Sequence, residues 1–308
     1  MLAVETKGLM FRITEGAFTG RQSSIRTYKN CHRLYGWERV ENLALDRPAW
    51  NLEFGSAAHL FLQEYGRGQS VAKSLALAEA RLLRDLPKAL LPDDLEEQER
   101  HRELLRTLMP AYVAYWQDDA QFIPLGQEVK GRVEVGNGSG VFLVFTLDRI
   151  GFFLDQLWIK DYKTMSKNDD RNFERFEMDL QPTAYVYGAS KVLKKRVAGI
   201  IIDGLIKTKT PQFRREMYLR TDAELLEFEN EFVEVCSEIA WRHVRVQNGE
   251  DWKTVFWKNE SSCMHQYGSK CPFLTLCQRD SIGTRALYKP RDVDYMDRPE
   301  ILTEGGNE

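Results

Sequence analysis

Three β-like segments follow one another between residues 127 and 163, with helical patterns on both sides, and few architectures accept that order. Val129, Val133 and Val135 alternate with charged or polar residues. Gly136-Asn-Gly-Ser-Gly140 reads as a hairpin turn, and Val141–Leu147 as the return strand. Phe152–Ile159, ahead of Asp161, is expected to be a third strand. Ala198–Ile206 reads as a buried strand and Phe213–Leu219 as another.

The flanks read as helices. Ser23 or Ser24 is suited to cap a helix beginning near Ile25, and a second helix is expected to start near Gly55. Residues 69–117 read as two helices broken near Leu91-Pro92, the second opening on an acidic run that the helix dipole favours in a solvated first turn. A further helix is expected over 176–194. Residues 222–246 are amphipathic, with Leu225, Phe228, Phe232, Cys236, Ile239, Ala240 and His243 on one stripe.

Composition narrows the class. The chain has 308 residues, is 43% hydrophobic and 29% charged, and can build a core. Apolar runs such as Val197–Ile206 are far too short to span a bilayer. Met1-Leu-Ala-Val-Glu-Thr-Lys7 shows no basic region followed by an apolar run, so no signal peptide is expected and a cytoplasmic location is. Five cysteines, unevenly placed, do not make a secreted disulfide scaffold. The stretch from Lys289 to Glu308 holds three basic and six acidic residues, the whole of the net charge of −3, and reads as a loosely ordered tail. There is no internal repeat, and no Gly-x4-Gly-Lys-Ser/Thr loop for an ATPase or helicase of the chain's own.

The sharpest local pattern is Thr146-Leu-Asp148-Arg-Ile-Gly followed by Leu154-Asp-Gln-Leu-Trp-Ile-Lys-Asp161-Tyr-Lys163-Thr. Two neighbouring strands each end in a carboxylate. Paired as a hairpin, they bring Asp148 and Asp161 together at one end of the sheet. Period-two alternation sets Asp161 and Lys163 on the same face. Two hard oxygen ligands for a divalent cation, with an ammonium beside them, suit phosphodiester hydrolysis. The metal polarises the phosphate and acidifies a water, while the lysine orients that water or stabilises charge. Upstream, Phe54-Gly55-Ser-Ala-Ala-His59 offers small residues for close packing and an imidazole ligand. Downstream, Gln181-Pro-Thr-Ala-Tyr185 has the i, i+4 spacing that sets both polar groups on one helix face. An Asp-x-Lys triplet by itself is as often an exposed ion pair. Glu128 reads as a strand-edge carboxylate, with a place in the site as its other reading.

The ordered set Gly55-x-x-x-His59, Asp148, Asp161-x-Lys163 and Gln181-x-x-x-Tyr185 resembles the RecB-like branch of the PD-(D/E)XK nuclease superfamily, over roughly residues 20–280. The resemblance implies an α/β fold: a restriction-endonuclease-like core sheet flanked by helices. It implies that His59, Asp148, Asp161 and the carbonyl of Tyr162 hold Mg²⁺ or Mn²⁺, with Lys163 catalytic and Gln181 and Tyr185 beside the site. Where the family often has Gly two residues before the first Asp, this chain has Thr146.

Cys236 lies on an apolar stripe and reads as a packed thiol. Four cysteines remain, enough for zinc or an iron–sulfur cluster. Cys271-Pro-Phe-Leu-Thr-Leu-Cys277, with Cys263 before it and Cys31 far upstream, resembles the iron–sulfur members of that branch, the AddB-type and CRISPR-associated exonucleases. The resemblance implies a [4Fe-4S] cluster on Cys31, Cys263, Cys271 and Cys277 that staples the two ends of the chain. The seven-residue gap after Cys263 departs from the subgroup's two, and His265 within it keeps zinc as the alternative.

DNA, single-stranded or at its ends, is the expected partner, met by local rather than total positive charge. Candidate contacts are Lys160, Lys163, Lys167, Arg171, Lys191, Lys194, Lys195, Arg196, Lys207, Lys209, Arg214 and Arg215. Trp37, Phe173 and Phe176 offer rings for stacking, but packing in the core or across the sheet is the favoured reading of most of them. A helicase or recombination protein is a further candidate partner. The expected segments are 1–50 with one cluster cysteine, a core at 51–250 with a helical insertion at 69–117, a cluster segment at 251–288 and the tail at 289–308. The expected function is a metal-dependent DNA exonuclease in recombination, repair or phage DNA processing. The alternative is a DNA-end-binding or scaffolding protein that keeps the fold with little activity.

Overall fold

The computed structural model describes residues 18–83, 92–116, 121–264 and 270–291. In chain order these form strand β1 (Phe18–Gly20), helices α1 (Gln22–Asn30) and α2 (His32–Tyr35), and, after a π-turn, strand β2 (Leu43–Leu45). Helices α3 (Trp50–Gly66), α4 (Val71–Leu82) and α5 (Pro92–Tyr115) precede strands β3 (Ile123–Glu134), β4 (Val141–Phe153) and β5 (Gln156–Met165). Next come α6 (Asp170–Met178), α7 (Leu180–Leu193), β6 (Val197–Ile206), β7 (Gln212–Leu219) and α8 (Asp222–Gln247). Short helices α9 (Trp252–Val255), α10 (Leu274–Gln278) and α11 (Ile282–Arg285) lead to strand β8 (Tyr288–Pro290). Among the described residues no helix is long and apolar enough to cross a membrane.

The chain forms two compact units. One comprises Arg47–Gly131 and Thr146–Thr221, the other Met1–Asp46, Arg132–Phe145 and Asp222–Glu308. In the first, β4 pairs antiparallel with β5, β5 runs parallel to β6, and β6 pairs antiparallel with β7. A parallel neighbour needs a crossover, which α6 and α7 supply. This is a mixed sheet with helices, the α/β class expected. Its core joins α3, α4 and α5 to the sheet: Phe54, Phe61, Leu82, Leu105 and Leu108 close around Tyr162 of β5 and Leu205 of β6. Helix α5 opens on Pro92 with Asp93 and Asp94 in its first turn, a missing N–H and two carboxylates where the helix wants them.

Beneath β6, Asp203 is buried and accepts from Tyr112 Oη at 2.7 Å and from Arg215 Nη2 at 2.7 Å, while Lys160 Nζ stands 3.9 Å away. Trp116 stacks on the Arg215 guanidinium, with 3.9 Å from Cζ to the ring centre.

In the other unit, β1 runs parallel to the first residues of β4, which return from the turn at Gly136, Gly138 and Gly140, all with positive φ. Helix α8 buries Phe228, Phe232, Cys236 and Ile239, as its periodicity requires. Strands β2 and β8 pair antiparallel. Beside them Trp37 stacks on Phe273, and Phe273 on Tyr288, whose hydroxyl donates to Pro272 O at 2.7 Å. Lys289 therefore belongs to a strand rather than to a loose tail, and residues from 292 onward lie outside those described, as does His265.

Four local expectations need correction. Helix α1 begins at Gln22, before both serines, and has no side-chain cap. Helix α3 starts at Trp50, so Gly55 is inside it. The third strand begins at Gln156, because β4 runs on to Phe153 and Leu154-Asp155 turn the chain with φ of 49° and 60°. The stretch 176–194 is broken at Asp179, whose side chain accepts from Gln181 N at 2.9 Å and starts α7 afresh.

Gly204 lies opposite Lys163 in the β5–β6 register, and a Cβ there would meet the Phe173 ring at 2.6 Å. Gly204→Ala is expected to lower stability by about 1–3 kcal/mol through overpacking. Urea unfolding reads this, and an unchanged midpoint would mean that the ring gives way.

Candidate active site

Four elements of one unit bring the site together. The β4–β5 hairpin pairs Ile150 with Ile159 and Arg149 with Lys160, and the next step in that register is Asp148 with Asp161. Both carboxylates thus lie within their strands rather than at the strand ends. Asp148 is held on two sides: Oδ1 stands 3.1 Å from His59 Nδ1 on α3, and Oδ2 accepts from Tyr162 N at 2.8 Å. Lys163 Nζ lies 2.5 Å from Asp161 Oδ2. Apart from this ion pair, Asp161 Oδ2 is buried and has no other hydrogen-bond partner among the described residues.

Burial and charge set the protonation. Burial works against the Asp148 carboxylate, but the His59 charge and contact, then Lys163 and the Tyr162 N–H, outweigh it and hold its pKa below the ordinary range. Burial pushes Asp161 above that range despite Lys163. Burial alone would lower His59; the Asp148 charge and hydrogen bond prevail and raise it to about 9. Burial and then the Asp148 charge raise Glu128.

His59, Asp148, Tyr162 and Lys163 line an open cleft of about 880 Å³, together with Asn51, Gly55, Ser166 and Lys207, while Asp161 is buried behind Lys163 and does not line it. Glu128 is there too, from β3, with a backbone φ of 50°. Among the described strands β3 pairs with β4 alone, so Glu128 is a strand-edge carboxylate, as expected, and it also faces the cleft. A Cβ on Gly55 would meet only Thr164 Oγ1, at 3.6 Å, an ordinary contact. The glycine therefore keeps the cleft wall low more than it permits close packing.

Comparison with known proteins bears on this arrangement. The model of the PD-(D/E)XK nuclease superfamily matches residues 22–278. The chain belongs to the PD-(D/E)XK nuclease superfamily. Among solved structures it is similar to a candidate exonuclease from Eubacterium rectale, at 14% identity and a TM-score of 0.48, over 87% of this chain and 89% of that one. It is also similar to an alkaline exonuclease from Laribacter hongkongensis, at 13% identity and a TM-score of 0.30, over 65% and 95%. No curated protein matches it.

The superfamily member's cleft offers imidazole, carboxylate and main-chain carbonyl donors, a set that suits a hard divalent cation. Asp161 Oδ2, buried and matched by Lys163 alone, is where such an ion would add a second partner. Among the described residues no three His, Cys, Asp or Glu side chains already form a metal-ready group. His59 and Lys163 take the positions against the carboxylates that a cation would share. Gln181 and Tyr185 share a helix face and bond to each other, Nε2 to Oη at 2.8 Å, but neither lines the cleft.

The candidate DNA contacts divide. Lys160 is buried, Arg215 is bound to Asp203, and Arg196 donates to the carbonyls of Val197 and Arg220, so these three serve the fold. Arg214 pairs with Asp170 and Glu216. Trp37, Phe173 and Phe176 are buried and present no stacking surface. Lys167, Arg171, Lys191, Lys194, Lys195 and Lys209 are exposed, and Lys207 lines the cleft.

The four cysteines proposed as ligands all belong to the other unit, and each is a free thiol. Cys31 Sγ accepts from Asn259 N at 3.4 Å, and Cys277 Sγ from Trp37 Nε1 at 3.2 Å. Cys271 N donates to Cys263 O at 2.9 Å. Burial, together with the other thiols, raises Cys263 and carries Cys271 to about 11.

With a pKa of about 9 against an ordinary 6.5, protonated His59 stabilises the metal-free fold fully below pH 6.5, and this is lost as pH rises through 9. A cation sharing Asp148 competes with that proton. Mg²⁺ affinity is therefore expected to rise roughly tenfold from pH 7 to 8.5, with proton release. Titration calorimetry in buffers of different ionisation enthalpy reads both, and His59→Asn is expected to flatten the rise. Affinity independent of pH in the wild type would contradict the account.

Proposed function

We propose that this protein is a metal-dependent deoxyribonuclease, an exonuclease that hydrolyses phosphodiester bonds in single-stranded DNA or at DNA ends. The observation that carries the reading is the meeting of His59, Asp148 and Lys163 in one open cleft, with the buried Asp161 paired to Lys163 at its wall. The motif order shared with the RecB-like exonucleases supports the choice of DNA and of exonuclease action.

Asp148, Asp161, His59 and the carbonyl of Tyr162 would hold Mg²⁺ or Mn²⁺. Such an ion supplies Lewis acidity, polarising the phosphate and acidifying a water. The protein's own groups do the rest. Tyr162 N–H fixes one oxygen of Asp148, so the carboxylate cannot swing away. Lys163 Nζ brings a positive charge to the phosphate, where negative charge grows as water adds in line and the ester oxygen leaves. Glu128, raised by burial, is suited to carry a proton near that reaction.

Cys31, Cys263, Cys271 and Cys277 would hold a [4Fe-4S] cluster away from the chemistry. What supports the reading is four free thiols within one unit, two of them accepting N–H bonds of the kind that tune cluster sulfurs, although among the described residues no three of them already form a metal-ready group. Zinc is the alternative for the same donors.

The deciding assay uses end-labelled single- and double-stranded DNA with Mg²⁺ or Mn²⁺. Wild type is expected to cleave, and Asp161→Ala and Lys163→Ala each to lose at least about 100-fold, since each removes a group acting on the developing charge. No cleavage by folded wild type would favour the scaffolding role, and equal cleavage by the variants would refute the site. Protein purified without air is expected to be brown, absorbing near roughly 400 nm, and Cys31→Ser to lose the colour. A colourless protein with stoichiometric zinc would replace the cluster reading.

A further inference from the structure

The cleft has a second end. Strands β5 and β6 run parallel, with Met165 opposite Ile206, so the residues that follow, Ser166 and Lys207, emerge side by side. Lys207 N donates to Met165 O at 2.7 Å, which fixes the exit of β6 against that of β5. From there the Lys207 side chain reaches to the first turn of α3, where Nζ donates to Asn51 Oδ1 at 2.6 Å, 5.2 Å from the centre of the Phe54 ring. Asn51, Ser166, Thr164 and Lys207 all line the cleft. The carboxyl ends of parallel strands are where open α/β sheets commonly receive ligands.

The cations of the cleft differ in how they are matched. Lys163 has Asp161, and Arg81 has Glu53 at 3.0 Å. Lys207 is half-buried and, among the described residues, pairs with no carboxylate; its Nζ rests on a neutral amide oxygen. Burial and the Arg100 charge both work against its ammonium form. A cation withdrawn from water without a counter-charge is costly to keep, and an anion brought to it removes the cost. The hydroxyls of Thr164 and Ser166 and the amide of Asn51 supply uncharged donors around the same space. With the carboxylates of Glu128 and Asp148 and the His59 imidazole also lining it, the cleft holds a cation-attracting part and an anion-attracting part.

We propose that Lys207, Asn51, Thr164 and Ser166 form a second phosphate-binding subsite, which takes a phosphate of the substrate strand adjacent to the one being cleaved. The subsite rests on the nuclease reading of the cleft and adds to it a hold on the strand outside the reacting phosphate. The phosphate is either a terminal monoester or the neighbouring diester; both present the same anionic oxygens. An ammonium at this end fixes how far the strand enters, and so which bond lies over Asp148 and Asp161.

The test compares wild type, Lys207→Gln and Lys207→Arg on oligonucleotides bearing a phosphate or a hydroxyl at the 5′ or the 3′ end. Lys207→Gln is expected to raise KM roughly tenfold, the size of one charge-assisted contact, with the larger part of the change in KM rather than kcat. The log–log salt slope of binding is expected to fall by about one, and Lys207→Arg to restore most of both. If removing one end's phosphate makes wild type behave as Lys207→Gln does, that end occupies the subsite; if neither does, the neighbouring diester is the ligand. Unchanged KM and salt slope in Lys207→Gln, or a loss confined to kcat, would overturn the subsite. Fluorescence anisotropy of the same oligonucleotides in Ca²⁺ keeps the two readings apart. Wild type that binds but cleaves nothing refutes the nuclease assignment, while the wild-type to Lys207→Gln difference in affinity and salt slope still decides the subsite.

Discussion

The arrangement of the cleft depends on one carboxylate. Asp148 joins β4 to the main chain of β5 through Tyr162 N and to α3 through His59, so a single side chain sets the relation of three elements. Such a group is expensive to bury and repays the cost only when its lone pairs are filled. In the metal-free protein a protonated imidazole fills one. The proton on His59 thus has the electrostatic role that a divalent ion would assume, which lets the site keep its shape in either state.

Charge in the same unit is sorted by position along adjacent strands. Asp203 of β6 is opposite Tyr162 and Arg215 in the register and is saturated by hydroxyl and guanidinium, with Lys160 near. That network is closed and structural. One residue on from Lys160 along β5, buried Asp161 has a single partner, the partly exposed Lys163, on its Oδ2. The contrast between a buried charge with several partners and one with a single partner separates the scaffold from the chemistry more clearly than burial does. In the other unit, the hydrogen-bonded β2–β8 ladder and the stacked Trp37, Phe273 and Tyr288 join early and late parts of the chain by hydrogen bonds and packing. The cysteines are thus not required as the sole tie between the two ends.

Much of this was legible in the sequence. The glycine-rich hairpin, the amphipathic α8 and the two helices split at Pro92 follow from turn chemistry and periodicity. The order of His59, Asp148, Asp161 and Lys163 pointed to one site, and the fold brings all four together. What escaped had no local signature. Leu154-Asp155 adopt positive φ without glycine or asparagine, so the end of β4 was misjudged. Asp179 interrupts a run whose apolar periodicity alone looks continuous. Glu128 and Lys207 look like any charged residues near strand ends, and only their meeting across the fold distinguishes them. Trp37, Phe173 and Phe176 pack in the core, the reading favoured for them, whereas Lys160 and Arg215 are drawn into a buried charge network that composition does not reveal.

The two-residue turn at Leu154-Asp155 has a consequence for how this chain can diverge. It fixes the offset of β4 against β5, and along β5 the residues alternate in the direction they point. One inserted residue in that turn would set Lys160 opposite Asp148, and one deleted residue Tyr162, in place of Asp161, leaving the strand intact but the site dismantled. Related chains are therefore free to change length in most surface connections while keeping this one constant. Because neither turn residue is a glycine, an alignment would find this constancy in spacing rather than in residue identity.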